Sequence, residues 1–170
     1  MSRLQRVPEK PAPLHRPGLG PAGGFAGRLA KNRPGMRLRK ALVRLVERER
    51  VCRVATVDPS GMPHVVPVCH VWDGGKLYFA ADAKSRKVRH LRANPKVAVV
   101  VDVYVEDWTR LAGVVLWGTA RVIRGGPVFR RIRTRLYQKY PQYPEEAAIE
   151  VPDTVVVEVT PTRAASWGLD

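Results

Sequence analysis

The residues best suited to do chemistry in this chain are Lys84-Ser85-Arg86-Lys87, followed by Arg89, His90 and Arg92. They come directly after an apolar run, Leu77-Tyr78-Phe79-Ala80-Ala81, and read as the first turns of a helix over 84–93 that Asn94-Pro95 ends. The open N–H groups of a helix start carry partial positive charge, so cations are normally disfavoured there. The same N–H groups combined with basic side chains are what a phosphate needs. The spacing therefore predicts an anion site.

Other chemistry is sparse. The four histidines, His15, His64, His70 and His90, show no metal-ligand spacing, and no metal site is expected. His70 is a candidate to contact or protonate a substrate, if its strand turns it into a pocket; the alternative is a strand histidine hydrogen-bonded locally. Ser60, Ser85 and Ser166 lie in no nucleophile elbow. Glu106-Asp107 reads as a solvated loop. Gly18-Leu19-Gly20-Pro21-Ala22-Gly23 matches G-x-G-x-x-G formally, but no strand precedes it and Pro21 interrupts it. With so little side-chain machinery, an enzyme of this sequence would leave the hard step to a cofactor.

The elements that must position these residues are mostly strands. Val-rich segments over 51–57, 63–72, 76–81, 96–105, 111–123 and 154–160 are bounded by turn residues. Asp58-Pro59-Ser60-Gly61 and Asp73-Gly74-Gly75 make the first connections short, which implies an antiparallel meander. Apolar residues at helical spacing predict helices over 36–50 and 127–140 besides 84–93. The expected fold is mainly β (α+β): a six-stranded antiparallel split or closed barrel with peripheral helices, over 36–170. Residues 1–35, with six prolines, six glycines and a charge of +6, are expected to be a disordered basic arm.

The net charge of +15 leaves +9 on residues 36–170, which suits a protein handling phosphorylated ligands. Nucleic acid is the weaker reading, because the cations of Arg130-Arg131-Ile132-Arg133-Thr134-Arg135 surround a helix whose apolar face packs inward. No apolar run approaches the ~20 residues of a membrane span. Cys52 and Cys69 form no motif and read as free thiols in a cytoplasmic protein.

Three passages together carry a resemblance. They are Ala55-Thr56-Val57-Asp58-Pro59-Ser60-Gly61-Met62-Pro63-His64, then Leu77-Tyr78-Phe79-Ala80-Ala81, then Ser85-Arg86-Lys87 through Asn94-Pro95-Lys96-Val97. In order and spacing they resemble the pyridoxamine 5′-phosphate oxidase-like split β-barrel family, which binds FMN or the deazaflavin F420. Glu106-Asp107-Trp108-Thr109-Arg110-Leu111 and Ser166-Trp167-Gly168 are similar to a subgroup thought to use F420. The resemblance implies an FMN-binding-type split barrel and a homodimer with the cofactor at the interface. It assigns Ser85, Arg86 and Lys87 to the cofactor phosphate, Pro67 and Val68 to the ring, and Ala80 and Ala81 to the ring and ribityl chain. Trp108 would flank the pocket, and Arg89, Arg92 and Arg110 would meet the anionic tail of F420. Val66 and Val71 stand where true pyridoxamine phosphate oxidases carry phosphate-directed cations, so vitamin B6 oxidation is not expected.

These readings converge on an oxidoreductase that moves a hydride between F420, or else FMN, and a small organic substrate. The alternative is a non-catalytic carrier of FMN, F420 or haem.

Overall fold

The structure is a computed structural model that describes residues 38–169; the expected arm over 1–35 lies outside the described residues. The chain runs α1 (Lys40–Arg48), β1 (Val51–Val57), β2 (Pro63–Cys69), β3 (Val71–Asp73), β4 (Lys76–Asp82) and α2 (Arg86–Ala93). It continues through β5 (Lys96–Val103), a 3-10 turn (Trp108–Arg110), β6 (Ala112–Ile123), α3 (Gly126–Lys139), α4 (Tyr143–Glu146) and β7 (Thr154–Trp167). All the strands join one antiparallel sheet in the order β2-β1-β5-β6-β7-β4-β3.

The two sheet edges, β2 and β3, are consecutive in the chain with only His70 between them. The edges must therefore meet, and the sheet curls into a split barrel in which β2 lies against β4 without a hydrogen-bond ladder. Six strands were expected and seven are present among the described residues, because the segment read as one strand over 63–72 breaks at His70 as it passes from one edge to the other. β7 also runs past its expected end at 160. Pro161 is tolerated because a bulge opens there, between the pairs Trp117–Arg163 and Gly118–Pro161.

Strand alternation decides what is buried. Cys52, Val54 and Thr56 of β1 point inward while Val51 and Arg53 stay exposed. The inner core joins them to Leu42, Leu45 and Val46 of α1, to Val88 and Leu91 of α2, and to Val97, Val99 and Val101 of β5. A second cluster packs Phe129, Ile132 and Leu136 of α3 onto the outer face of the sheet at Tyr78 and Val156. Gly113 is required by the tail: a Cβ there would come within 2.1 Å of the Trp167 ring. Cys52 faces Val68 and Cys69 faces Val51, so one-residue parity puts the two thiols on opposite faces of the hairpin, and both are free.

Candidate cofactor site

β4 delivers the chain to α2. Ala81 is inward at the end of β4 and Ala80 is half-buried beside it, so both border the turn that starts the helix. Asp82 shapes that turn: its carboxylate accepts the Lys84 N–H at 2.6 Å and its carbonyl accepts the Ser85 N–H at 3.0 Å. Lys84 therefore belongs to the turn, and α2 begins at Arg86, two residues later than the sequence suggests.

Ser85 is the N-cap residue, with extended backbone (φ −61°, ψ 154°), yet its hydroxyl caps nothing. A serine here normally accepts an N–H of the first turn, worth about 1 kcal/mol. Instead the Ser85 Oγ is buried and has no hydrogen-bond partner. The first turn holds no acidic residue and carries Arg86 and Lys87. Open N–H groups, an unengaged hydroxyl and two cations thus lie together, a donor set that fits a phosphate.

Two further strands border this corner. Thr56 of β1 is buried, and its hydroxyl is hydrogen-bonded to Nδ1 of the buried His90 at 3.1 Å. His64 of β2, cross-strand partner of Thr56, sets its ring edge-on to His90 at 5.6 Å between centroids. The Nδ1 of His64 is buried without a partner. Burial, and then the charges of Arg86, His90 and Lys87, hold His64 below the usual histidine pKa. His90 was expected only as part of the basic helix start, and Thr56 and His64 had no expected role. The signal that points to them is β2 alternation, which puts His64 on the same partly covered face as Val66 and Val68.

The remaining expected residues divide. Pro67 and Val68 lie further along β2, exposed and half-buried respectively, on the strand that borders β4 across the split. Trp108 is 68% exposed in the turn after β5 and has its surface open. Arg89 folds back to donate to the Lys84 carbonyl at 2.6 Å, whereas Arg92 and Arg110 are exposed.

His70 does not enter a pocket. It is completely buried, and its Nε2–H donates to the Val46 carbonyl at 2.7 Å. Burial, with Lys139 nearby, pushes its pKa down to about 4. The break between β2 and β3 turns this ring towards α1, as in the alternative of a strand histidine held by a hydrogen bond rather than that of a substrate contact. Two cavities, about 610 Å³ beside Leu38, Val43 and Trp72 and about 350 Å³ beside Glu47 and Arg135, have no α2 residue in their walls. Among the described residues no helix is long and apolar enough to cross a membrane.

Residues 38–168 match the family model for pyridoxamine 5′-phosphate oxidase. The chain belongs to that family. The chain is 31% identical over 123 residues to a 5a,11a-dehydrotetracycline/5a,11a-dehydrooxytetracycline reductase of Streptomyces rimosus, spanning 69% of this chain and 74% of the relative. Among solved structures it is similar to an F420 reductase (26% identical, TM-score 0.61, 77% of this chain and 99% of that one). A conserved hypothetical protein of Mycobacterium tuberculosis shares the fold (22% identical, TM-score 0.68, 81% and 89%). So does a heme-binding protein of Mycobacterium smegmatis (20% identical, TM-score 0.65, 78% and 55%). The fold is thus shared with proteins described as an F420 reductase and as a heme-binding protein.

Proposed function

We propose that this member of the family is an oxidoreductase that binds F420, with FMN the second choice, and exchanges a hydride with a small organic substrate. The observation that carries the reading is the start of α2: an N-cap serine whose buried hydroxyl has no partner, beside Arg86 and Lys87 and in front of an uncapped helix. That arrangement fits the cofactor phosphate. Ala80 and Ala81, small residues leading into the same turn, leave room for the chain and ring that follow the phosphate, and Pro67 and Val68 offer backbone along β2. Bound there, the cofactor would supply the hydride donor or acceptor. The protein's own residues bind the phosphate, orient the ring and exclude water.

F420 is placed first because its anionic tail suits the exposed Arg92 and Arg110, and because a reductase of that cofactor is 26% identical to this chain. A homodimer would complete the site. β2 has no fully buried residue, and Val51, Met62 and Val65 around it are 42%, 64% and 60% exposed, which is the pattern of a face covered by a second copy. Trp108 would then reach the partner's pocket. Two free thiols accord with a reducing cytoplasm.

The test is reconstitution of the purified protein with F420, FMN and heme, followed by turnover of the reduced cofactor with enones and quinones. An absorbance maximum near ~420 nm marks F420, and maxima near ~370 and ~450 nm mark a flavin, as properties of the bound chromophore. Arg86→Ala should weaken binding about tenfold or more, since a charge-assisted bond contributes about 1.5–3 kcal/mol. Heme binding alone, or cofactor binding that never oxidises or reduces any acceptor, would replace this reading with that of a carrier.

A further inference from the structure

His64 is the part of the α2 corner to which the cofactor reading gives no task. Alternation along β2 places it on the partly covered face, while Val65 and Pro67 stand in the open. On that face its ring meets the edge of His90, and Nδ1 of His90 is already engaged by Thr56. Nδ1 of His64 is buried and engaged by nothing. The Nδ1 of His64 and the hydroxyl of Ser85 are both buried without a partner, and Arg86 and Lys87 act on the His64 ring, so an anion at the start of α2 would offer a partner to both groups.

We propose that His64 is a third contact of the phosphate site: its Nδ1–H donates to an oxygen of the anion held at the start of α2, and the ring takes up a proton as the anion binds. The proposal rests on the cofactor reading above. It adds a residue from a separate strand and a pH dependence that Arg86 and Lys87, cationic throughout the neutral range, do not give.

The charged and titratable groups around the ring fix the sign. Arg86, Lys87 and His90 act on it from α2, β1 contributes the neutral Thr56, and Asp58 stands in the β1–β2 turn, within electrostatic reach of His90. In the free protein burial, and then the nearby Arg86 and Lys87, hold the pKa of His64 below the usual histidine value. An anion at α2 offsets Arg86 and Lys87 and accepts from the ring, so the proton becomes easier to hold. A ligand that raises a pKa binds more tightly as the pH falls towards that pKa. Affinity should therefore rise from pH 8.5 to pH 6.5, by about tenfold, the size of one charge-assisted hydrogen bond.

FMN and F420 dissociation constants measured at several pH values across that range test the idea, with riboflavin as the probe that lacks a phosphate. A phosphate monoester with its second pKa near ~6 stays chiefly dianionic throughout. The expected result is tighter FMN and F420 binding at pH 6.5 with no slope for riboflavin. His64→Asn, which keeps a neutral N–H donor but takes up no proton in this range, should lose the slope. The NMR titration of the His64 ring should move to higher pH when FMN is bound. A slope that persists in His64→Asn, or a His64 titration unmoved by FMN, overturns the proposal while leaving the cofactor reading intact, provided Arg86→Ala still weakens binding. If Arg86→Ala has no effect, or neither cofactor binds, both fall.

Discussion

Two polar corners of this molecule contain buried histidines and use them in opposite ways. At the His70 corner the polar groups are tied to backbone. The Tyr140 hydroxyl accepts the His70 N–H at 3.0 Å and lies 2.7 and 2.8 Å from the carbonyls of Arg50 and His70. Lys139 donates to the Glu49 carbonyl at 2.7 Å, and His70 Nε2–H to that of Val46. Only Nδ1 of His70 is left over, and on a neutral ring with the proton on Nε2 it is a bare acceptor. These bonds join α1, the start of β1, the β2–β3 break and α3. At the α2 corner the Ser85 hydroxyl, the His64 Nδ1 and the first-turn N–H groups are tied to nothing. Polar groups anchored to carbonyls hold the fold; open ones beside cations are available to a ligand.

The largest effect that separates the corners should be acid destabilisation through His70. Its pKa is about 4 in the folded chain against an ordinary 6.5, so below pH 6.5 the unfolded chain binds a proton that the folded chain does not. Stability from this group is complete above pH 6.5 and is lost as the pH falls towards 4. At about 1.4 kcal/mol per pH unit the loss approaches about 3 kcal/mol. Urea unfolding of the native protein and His70→Gln from pH 7.5 to 4.5 should give a visibly shallower slope for the variant. Parallel slopes would mean that His70 is not confined as described.

Next in size is Tyr140→Phe. Tyr140 is 1% exposed, and losing its hydroxyl leaves the His70 N–H without a partner and removes a donor from two carbonyls. The cost should be about 2 kcal/mol, within the range for one buried group left unpaired. FMN or F420 affinity should not change. A variant that unfolds normally but binds the cofactor poorly would merge the two corners into one functional unit.

Part of this contrast was legible in the sequence. The strands β1, β4 and β6 and the helix after Ser85 follow from local periodicity, and the cations at the start of that helix stand in the same run. His70 was harder. A strand's faces are known only if its continuity is known, and nothing local marks the break between Cys69 and Val71. The Thr56–His90–His64 cluster depends on contacts between β1, β2 and α2, with 34 residues separating Thr56 from His90. Such pairing is decided by register and packing, which composition does not encode. The exposed face of β2 was visible only as a Val-rich strand, and its lack of cover needed the strand order.

The smallest effect is the sharpest test of the comparison, because one residue type makes opposite predictions in the two settings. A serine that caps a helix contributes about 1 kcal/mol to stability, and replacing it with alanine removes that amount. Ser85 occupies the cap position without making the bond, so Ser85→Ala should change stability by less than about 0.5 kcal/mol; relief of the buried, unpaired Oγ offsets the loss of helix-start preference. If Ser85 contacts the cofactor phosphate as proposed, the same substitution removes that donor, and FMN affinity should fall about fivefold, the value of one neutral hydrogen bond near ~1 kcal/mol. Thermal unfolding and an FMN titration on the same preparation give both numbers. A full loss of cap stability with unchanged FMN affinity would show that the hydroxyl turns inward to the helix in solution. The α2 corner would then be as self-satisfied as the corner at His70.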